Sequence, residues 1–285
     1  MRKSKSKFNA LLDSKLILET SKKCYDVKLV ECEDYIQLYL YGKKKVKNID
    51  DDNNDLNLKA VLLNSKNSKG SKDNSNSLKE IEFRNIIRSK LECQRMAKSN
   101  IGSWKTFITL TFKENITEVN DAMYQFKKFV IKVRRIKKDF MYLCITEFQK
   151  RGAVHFHILT NIDINDESLM YRQEDNKNFV HIKYWNDGFT SVEPLNGDPK
   201  KIIGYISKYM TKDIDNRLFN KHRYFYSRNL NKPKESFIDL DNNRERDYYI
   251  KKTQGKELIY QNEYINTYDD STVKFLEFLT HNDIL

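Results

Sequence analysis

The stretch FMYLCITEFQKRGAVHFHILT, residues 140–160, is two β-prone apolar runs (140–148 and 153–160) joined by QKRG. A glycine near the end of so short a loop suits the left-handed position of a three-residue hairpin turn. With Lys150–Gly152 as the loop, cross-strand partners sum to 302 and Glu147 faces His155 directly. Residues two apart on a strand point to the same side. Opposed residues of an antiparallel pair share a face, with β-carbons about 5 Å apart. Glu147, His155 and His157 are therefore expected on one patch of sheet, an arrangement that a one-residue register slip would undo. A lone His-x-His pair has a second reading, two half-buried histidines on an amphipathic strand, so the neighbours must decide.

Upstream, WKTFITLTF (104–112) reads as a strand. In the next segment Val119, Ala122, Met123, Phe126, Phe129, Val130, Val133 and Ile136 recur at helical spacing. Asn115 with Glu118 three later is its expected start signal. Lys127, Lys128, Lys132, Arg134, Arg135 and Lys138 line the opposite face. Residues 79–98 read as a basic helix with Ile81, Ile86 or Ile87, and Leu91 inward. Downstream, Asp198 as N-cap and Pro199 at the first helical position start a helix in 197–213. Ile202, Ile203, Ile206 and Met210 form its inward set, and Tyr205, Lys208, Tyr209 and Lys212 fall on another stripe.

The chain has 285 residues, 52 Lys+Arg against 40 Asp+Glu, a net charge of +12 and a pI near 9.2, a balance that favours a polyanionic partner. Its four cysteines form no C-x-x-C pair, so neither a zinc ribbon nor a disulfide framework is supported, and a reducing cytoplasm fits. The apolar part of the basic start is broken by Asp13 and Lys15, which argues against a signal peptide. No run approaches the roughly 20 apolar residues that span a bilayer. Residues 25–41 alternate well enough for two short strands, and 64–77 is a polar stretch too poor in apolar residues to pack. The expected division is 1–77 as an N-terminal region ending in that linker, 78–213 as the central domain, and 214–285 as a C-terminal extension.

Two histidines and a carboxylate with open coordination positions suit a divalent cation, Mn²⁺ or Mg²⁺, holding a phosphate oxygen. Such an open site contributes little to folding, so alanine at either histidine is expected to leave the fold intact. A tyrosine phenol aimed at that phosphorus can form a phosphotyrosine that keeps the energy of the cleaved linkage. A free phenol has a pKa around 10, and Lys208 or Lys212 on the same helix face would lower it or hold the transition state.

FITLTF (107–112), ITEFQKRGAVHFH (145–157) and YISKYMTK (205–212), in this order, resemble the three motifs of HUH rolling-circle replication initiators, the Rep endonucleases of small plasmids and single-stranded DNA phages. The resemblance covers roughly residues 80–213 and implies an α+β, ferredoxin-like or RRM-like domain with a central antiparallel sheet flanked by helices. It also implies nicking and joining of single-stranded origin DNA through a 5′-phosphotyrosine. By position, Glu147, His155 and His157 correspond to the metal ligands, Tyr209 to the leading nucleophile and Tyr205 to the second. No G-x-x-x-x-G-K-[ST] occurs, so strand separation is expected to need a host helicase, with a host polymerase following. Lys150 and Arg151 in the hairpin loop, and Arg223 and Arg228 in the aromatic and basic stretch 222–236, are the candidate DNA contacts, although a packed strand explains that stretch equally well. The alternatives are an HUH relaxase or transposase, or a non-catalytic nucleic-acid-binding protein.

Overall fold

The structure is a computed structural model; it describes residues 22–48, 74–173, 179–195, 198–211, 223–266 and 269–280. In chain order the elements are β1 (Lys22–Cys32), β2 (Tyr35–Asn48), α1 (Asn74–Lys98), a 3-10 turn (Ile101–Ser103), β3 (Thr106–Phe112), α2 (Val119–Ile136), β4 (Tyr142–Phe148) and β5 (Val154–Thr160). There follow β6 (Met170–Arg172), β7 (Val180–Ile182), β8 (Gly188–Pro194), α3 (Pro199–Thr211) and β9 (Tyr224–Tyr226). The last are β10 (Lys234–Ile238), α4 (Asn243–Thr253), β11 (Glu257–Asn266) and β12 (Ser271–Leu279). The fold is α+β with antiparallel sheets.

The chain divides into two units, one taking in the described residues of Met1–Glu31, Tyr35–Asn74 and Lys234–Leu285, the other those of Cys32–Asp34 and Ser75–Pro233. The first holds a five-stranded sheet of order β10-β1-β2-β12-β11, so strands from both ends of the chain lie in one sheet. Its core gathers Val27, Leu29, Ile36, Leu38 and Ile238. The second holds a seven-stranded sheet of order β6-β7-β8-β3-β5-β4-β9. β9 therefore brings residues beyond 213 into the central sheet, at its edge beside β4. The segments 1–18 and 49–55 and the 64–73 part of the expected linker lie outside the described residues. Its remaining residues differ from expectation, because α1 already begins at Asn74.

Period-two alternation gives the seven-stranded sheet two unlike faces. On one, Ile108, Leu110, Phe112, Cys144, Phe148, Val154, Phe156 and Ile158 pack against Val119, Ala122, Phe126, Phe129, Val130 and Val133 of α2. Met123 is only partly buried and Ile136 is exposed, so the expected inward stripe of α2 loosens at its last turn. Its start differs too. The helix begins four residues after Asn115, which makes Glu118 the N-cap, without a side-chain capping bond, and the expected capping box does not form. In α1 Ile86 is buried and Ile87 exposed, Leu91 is half-buried, and Cys93, Met96 and Ala97 carry the packing. The side chain of Ile81 lies outside the described residues.

Two local features align the other face. Trp104, buried, donates its indole N–H to the Ala97 carbonyl at 2.9 Å and ties the start of β3 to α1. Gly188 lets β8 close on β3, since a β-carbon there would lie 2.1 Å from the Thr111 carbonyl oxygen. Phe126 stands at the centre of the core, in ring contact with Phe129, Tyr142, Phe156 and Phe225. Phe126→Ala is expected to cost about 3–5 kcal/mol, read as a lower urea midpoint; a loss under about 1 kcal/mol would mean this cluster is not the core.

Candidate active site

The hairpin forms as its turn chemistry dictates. Gln149 N–H donates to the Ala153 carbonyl at 2.8 Å, Gly152 N–H donates to the Gln149 carbonyl at 2.7 Å, and Gly152 has φ +89°. The register pairs Glu147 with His155, and β3 places Thr109 opposite His157 and Thr111 opposite His155. These five side chains share the face away from α2.

His157 and Glu147 are both buried, and His157 Nε2 lies 2.5 Å from Glu147 Oε2. The other ring nitrogen, Nδ1, is 3.2 Å from Thr109 Oγ1, which fixes the ring's orientation. A bare lone pair facing a carboxylate oxygen at 2.5 Å would be repelled, so one proton lies between Nε2 and Oε2. His155 is half-buried, its ring centroid 5.9 Å from that of His157. Two imidazoles and a carboxylate are a donor set that fits a divalent cation, with Thr109 in the orienting position such ligands require. A cation would take over the role of that shared proton. As it stands the pair is bridged directly, and among the described residues no group of three or more His, Cys, Asp or Glu side chains is arranged to hold a metal ion.

Helix α3 starts as expected, Asp198 Oδ1 accepting from Lys200 N–H at 2.9 Å and Lys201 N–H at 3.4 Å, with Pro199 as its first residue. Ile202, Ile206 and Met210 are buried, while Ile203 is half-buried. The tyrosine stripe turns to the polar face of the sheet and stacks there. Tyr209 lies on His157 with ring centroids 3.6 Å apart, and Tyr205 on Phe107 at 4.1 Å. Phe107 also stacks with Tyr209 at 5.6 Å, so one buried aromatic seats both tyrosines. Lys208 Nζ lies 5.1 Å from the centroid of the Tyr209 ring. Tyr205 donates its hydroxyl to Glu193 Oε2 on β8. Burial, the bond to Glu193 and its charge, and Tyr209 together push the Tyr205 pKa up to about 12.

The remaining candidates are dispersed. Lys150 is exposed at the hairpin tip; Arg151 beside it donates to the Phe112 carbonyl at 2.6 Å and to Gln149 Oε1 at 2.9 Å. Arg223 is half-buried, its carbonyl accepting from Thr146 N–H at 3.1 Å, and Arg228 is exposed past β9. Lys212 lies outside the described residues. Sequence reasoning missed Phe107, Thr109 and Glu193. Alternation from His157 across to β3 points to the first two once β3 and β5 are paired, whereas β8 carries no signal linking Glu193 to α3.

Residues 105–214 match the family model of the replication-associated protein ORF2. The chain is also similar to the phasyl DNA replicon protein arp of Escherichia coli, 28% identical over 136 residues, 42% of this chain and 46% of that protein. The chain thus spans about half the length of the curated relative it matches. No solved structure matches. No helix among the described residues is long and apolar enough to cross a membrane.

The two histidines differ in what they hold, so alanine, expected to leave the fold intact at either position, is expected to lower its stability unequally. His157→Ala breaks a buried pair and a ring stack and is expected to cost on the order of 3 kcal/mol. His155→Ala, at a half-buried position, is expected to cost on the order of 1 kcal/mol. Chemical denaturation of both variants measures the difference, and equal losses would contradict the placement of His157.

Proposed function

We propose that this chain initiates DNA replication by the rolling-circle route, nicking and rejoining single-stranded DNA at an origin through a 5′-phosphotyrosine. The observation that carries the reading is the stacking of Tyr209 on the imidazole of a His157–Glu147 pair, on the polar face of the sheet. The match of residues 105–214 to a replication-associated family and the similarity to a replicon protein support the same role. In this reading Tyr209 Oη attacks the phosphorus, the new Oη–P bond forms as the P–O3′ bond breaks, and the phenol proton reaches the released 3′ oxygen by way of solvent. Lys208, above the ring, stabilises the developing phenolate charge. Glu147, His155 and His157 would hold a divalent ion such as Mn²⁺ or Mg²⁺, which when bound neutralises charge on the phosphate. Lys150, Arg151, Arg223 and Arg228 contact the DNA backbone, and a host helicase and polymerase complete the reaction.

One observation favours a second reading. The direct Glu147–His157 bond also suits a structural pair on a nucleic-acid-binding sheet without catalysis. Labelled single-stranded oligonucleotides tiled across the DNA flanking the gene separate the two. With Mn²⁺ present, wild-type protein is expected to give a covalent adduct on a denaturing gel that maps to Tyr209; Tyr209→Phe is expected to lose the adduct at that residue, leaving only a slower one at Tyr205, and EDTA is expected to abolish both. An adduct that persists in EDTA would remove the metal from the reading, and binding with no adduct would favour the second. For either reading, the net charge of +12 implies binding through phosphates. Single-strand affinity is then expected to fall on a log–log salt plot by about 0.7 per phosphate neutralised, and a flat plot would point to a protein partner instead.

A further inference from the structure

The two tyrosines of α3 stand in opposite electrostatic surroundings. Tyr209 has an ammonium group over its ring, from Lys208. Tyr205 has a carboxylate at its hydroxyl, from Glu193. Glu193 belongs to none of the three motifs; it reaches the site because β8 pairs with β3 in a register that sets Glu193 opposite Phe107, the residue on which Tyr205 stacks. We propose that Glu193 is a catalytic residue dedicated to Tyr205, the proton acceptor that activates it for the second transesterification. The inference rests on the nicking-and-joining reading above.

The step balances with groups already in place. Tyr205 Oη attacks the phosphorus of the regenerated origin, the Oη–P bond forms, and the P–O3′ bond breaks. The phenol proton passes along the existing hydrogen bond to Glu193 Oε2, the departing 3′ oxygen takes a proton from water, and Glu193 later returns its proton to solvent. Before a phosphate arrives the proton belongs to Tyr205, because burial and the neighbouring carboxylate disfavour the phenolate. A carboxylate at this point also repels an incoming phosphodiester, while the lysine over Tyr209 attracts one. The same pair of contacts therefore makes Tyr209 the tyrosine that acts first and holds Tyr205 in reserve.

The test compares Glu193→Gln in a Tyr209→Phe background, where only Tyr205 can react, with Glu193→Gln in a Tyr205→Phe background, where only Tyr209 can. The substitution keeps the shape of an exposed side chain and removes its basicity. Adduct formation at Tyr205 is expected to slow about a hundredfold and to require more alkaline pH, with at least tenfold less effect at Tyr209. Glu193→Asp is expected to recover part of the Tyr205 rate. Ultraviolet titration supplies a readout that needs no DNA: the high-pH phenol transition lost in Tyr205→Phe is expected to move to lower pH in Glu193→Gln. Equal slowing at both tyrosines, or an unmoved phenol transition, would overturn the role of Glu193 and leave the nicking reading standing. Absence of any adduct in the wild type as well would bring down the nicking reading, and this proposal with it.

Discussion

The turn at Lys150–Gly152 sets which residues of β4 stand opposite which residues of β5, and the candidate site is assembled on that register. Glu147 opposite His155, and His157 one pleat further on, follow from where the loop closes. What prevents a slip is the reverse face of the same strands. Cys144 and Phe148, with Val154, Phe156 and Ile158, are committed to the core under α2. Moving either strand by one residue would bring these to the polar face and drive a carboxylate and two imidazoles into an apolar interior, at a cost of several kcal/mol for each uncompensated charge. The core under α2 thus holds the site in place although none of its residues takes part in it.

Helix α3 solves a related problem with two stripes. Ile202, Ile206 and Met210 bury the helix, and the tyrosines one turn apart are left to meet the sheet beside them. They meet aromatic surface there: Phe107 under both rings and the His157 imidazole under Tyr209. Stacking favours a single seating for each ring, since offset parallel planes gain attraction that a loose contact does not. The Tyr205 hydroxyl then meets the Glu193 carboxylate while Lys208 lies over the Tyr209 ring, and chemically identical residues acquire different surroundings from position alone.

The family match at 105–214 falls within one of the two units, and the five-stranded sheet lies outside it. The proposed chemistry accordingly belongs to the seven-stranded unit. The other sheet joins β1 and β2 to β10 and β12 through pairings that span most of the chain, such as Val27 with Ile238 and Val273 with Tyr41.

The amino-acid sequence by itself determined the β4–β5 hairpin with its glycine turn, strand β3, the inward stripe of α2, and the capped start of α3 with its tyrosines at 205 and 209. Each of these is written in short-range terms: alternation, helical spacing, a cap, a residue able to take positive φ. Residues 161–196 offered no such pattern, since β6 and β7 are three residues long and β8 is recognisable only once it is paired. Tertiary structure decided that Glu193 meets Tyr205, that Phe107 seats both tyrosines, that His157 is buried against Glu147, and that the two ends of the chain share a sheet. The reason is physical. A strand's pairing partner and a stack between a helix and a sheet depend on which distant surfaces the folded core brings together, and that choice leaves no mark in the local spacing of residues.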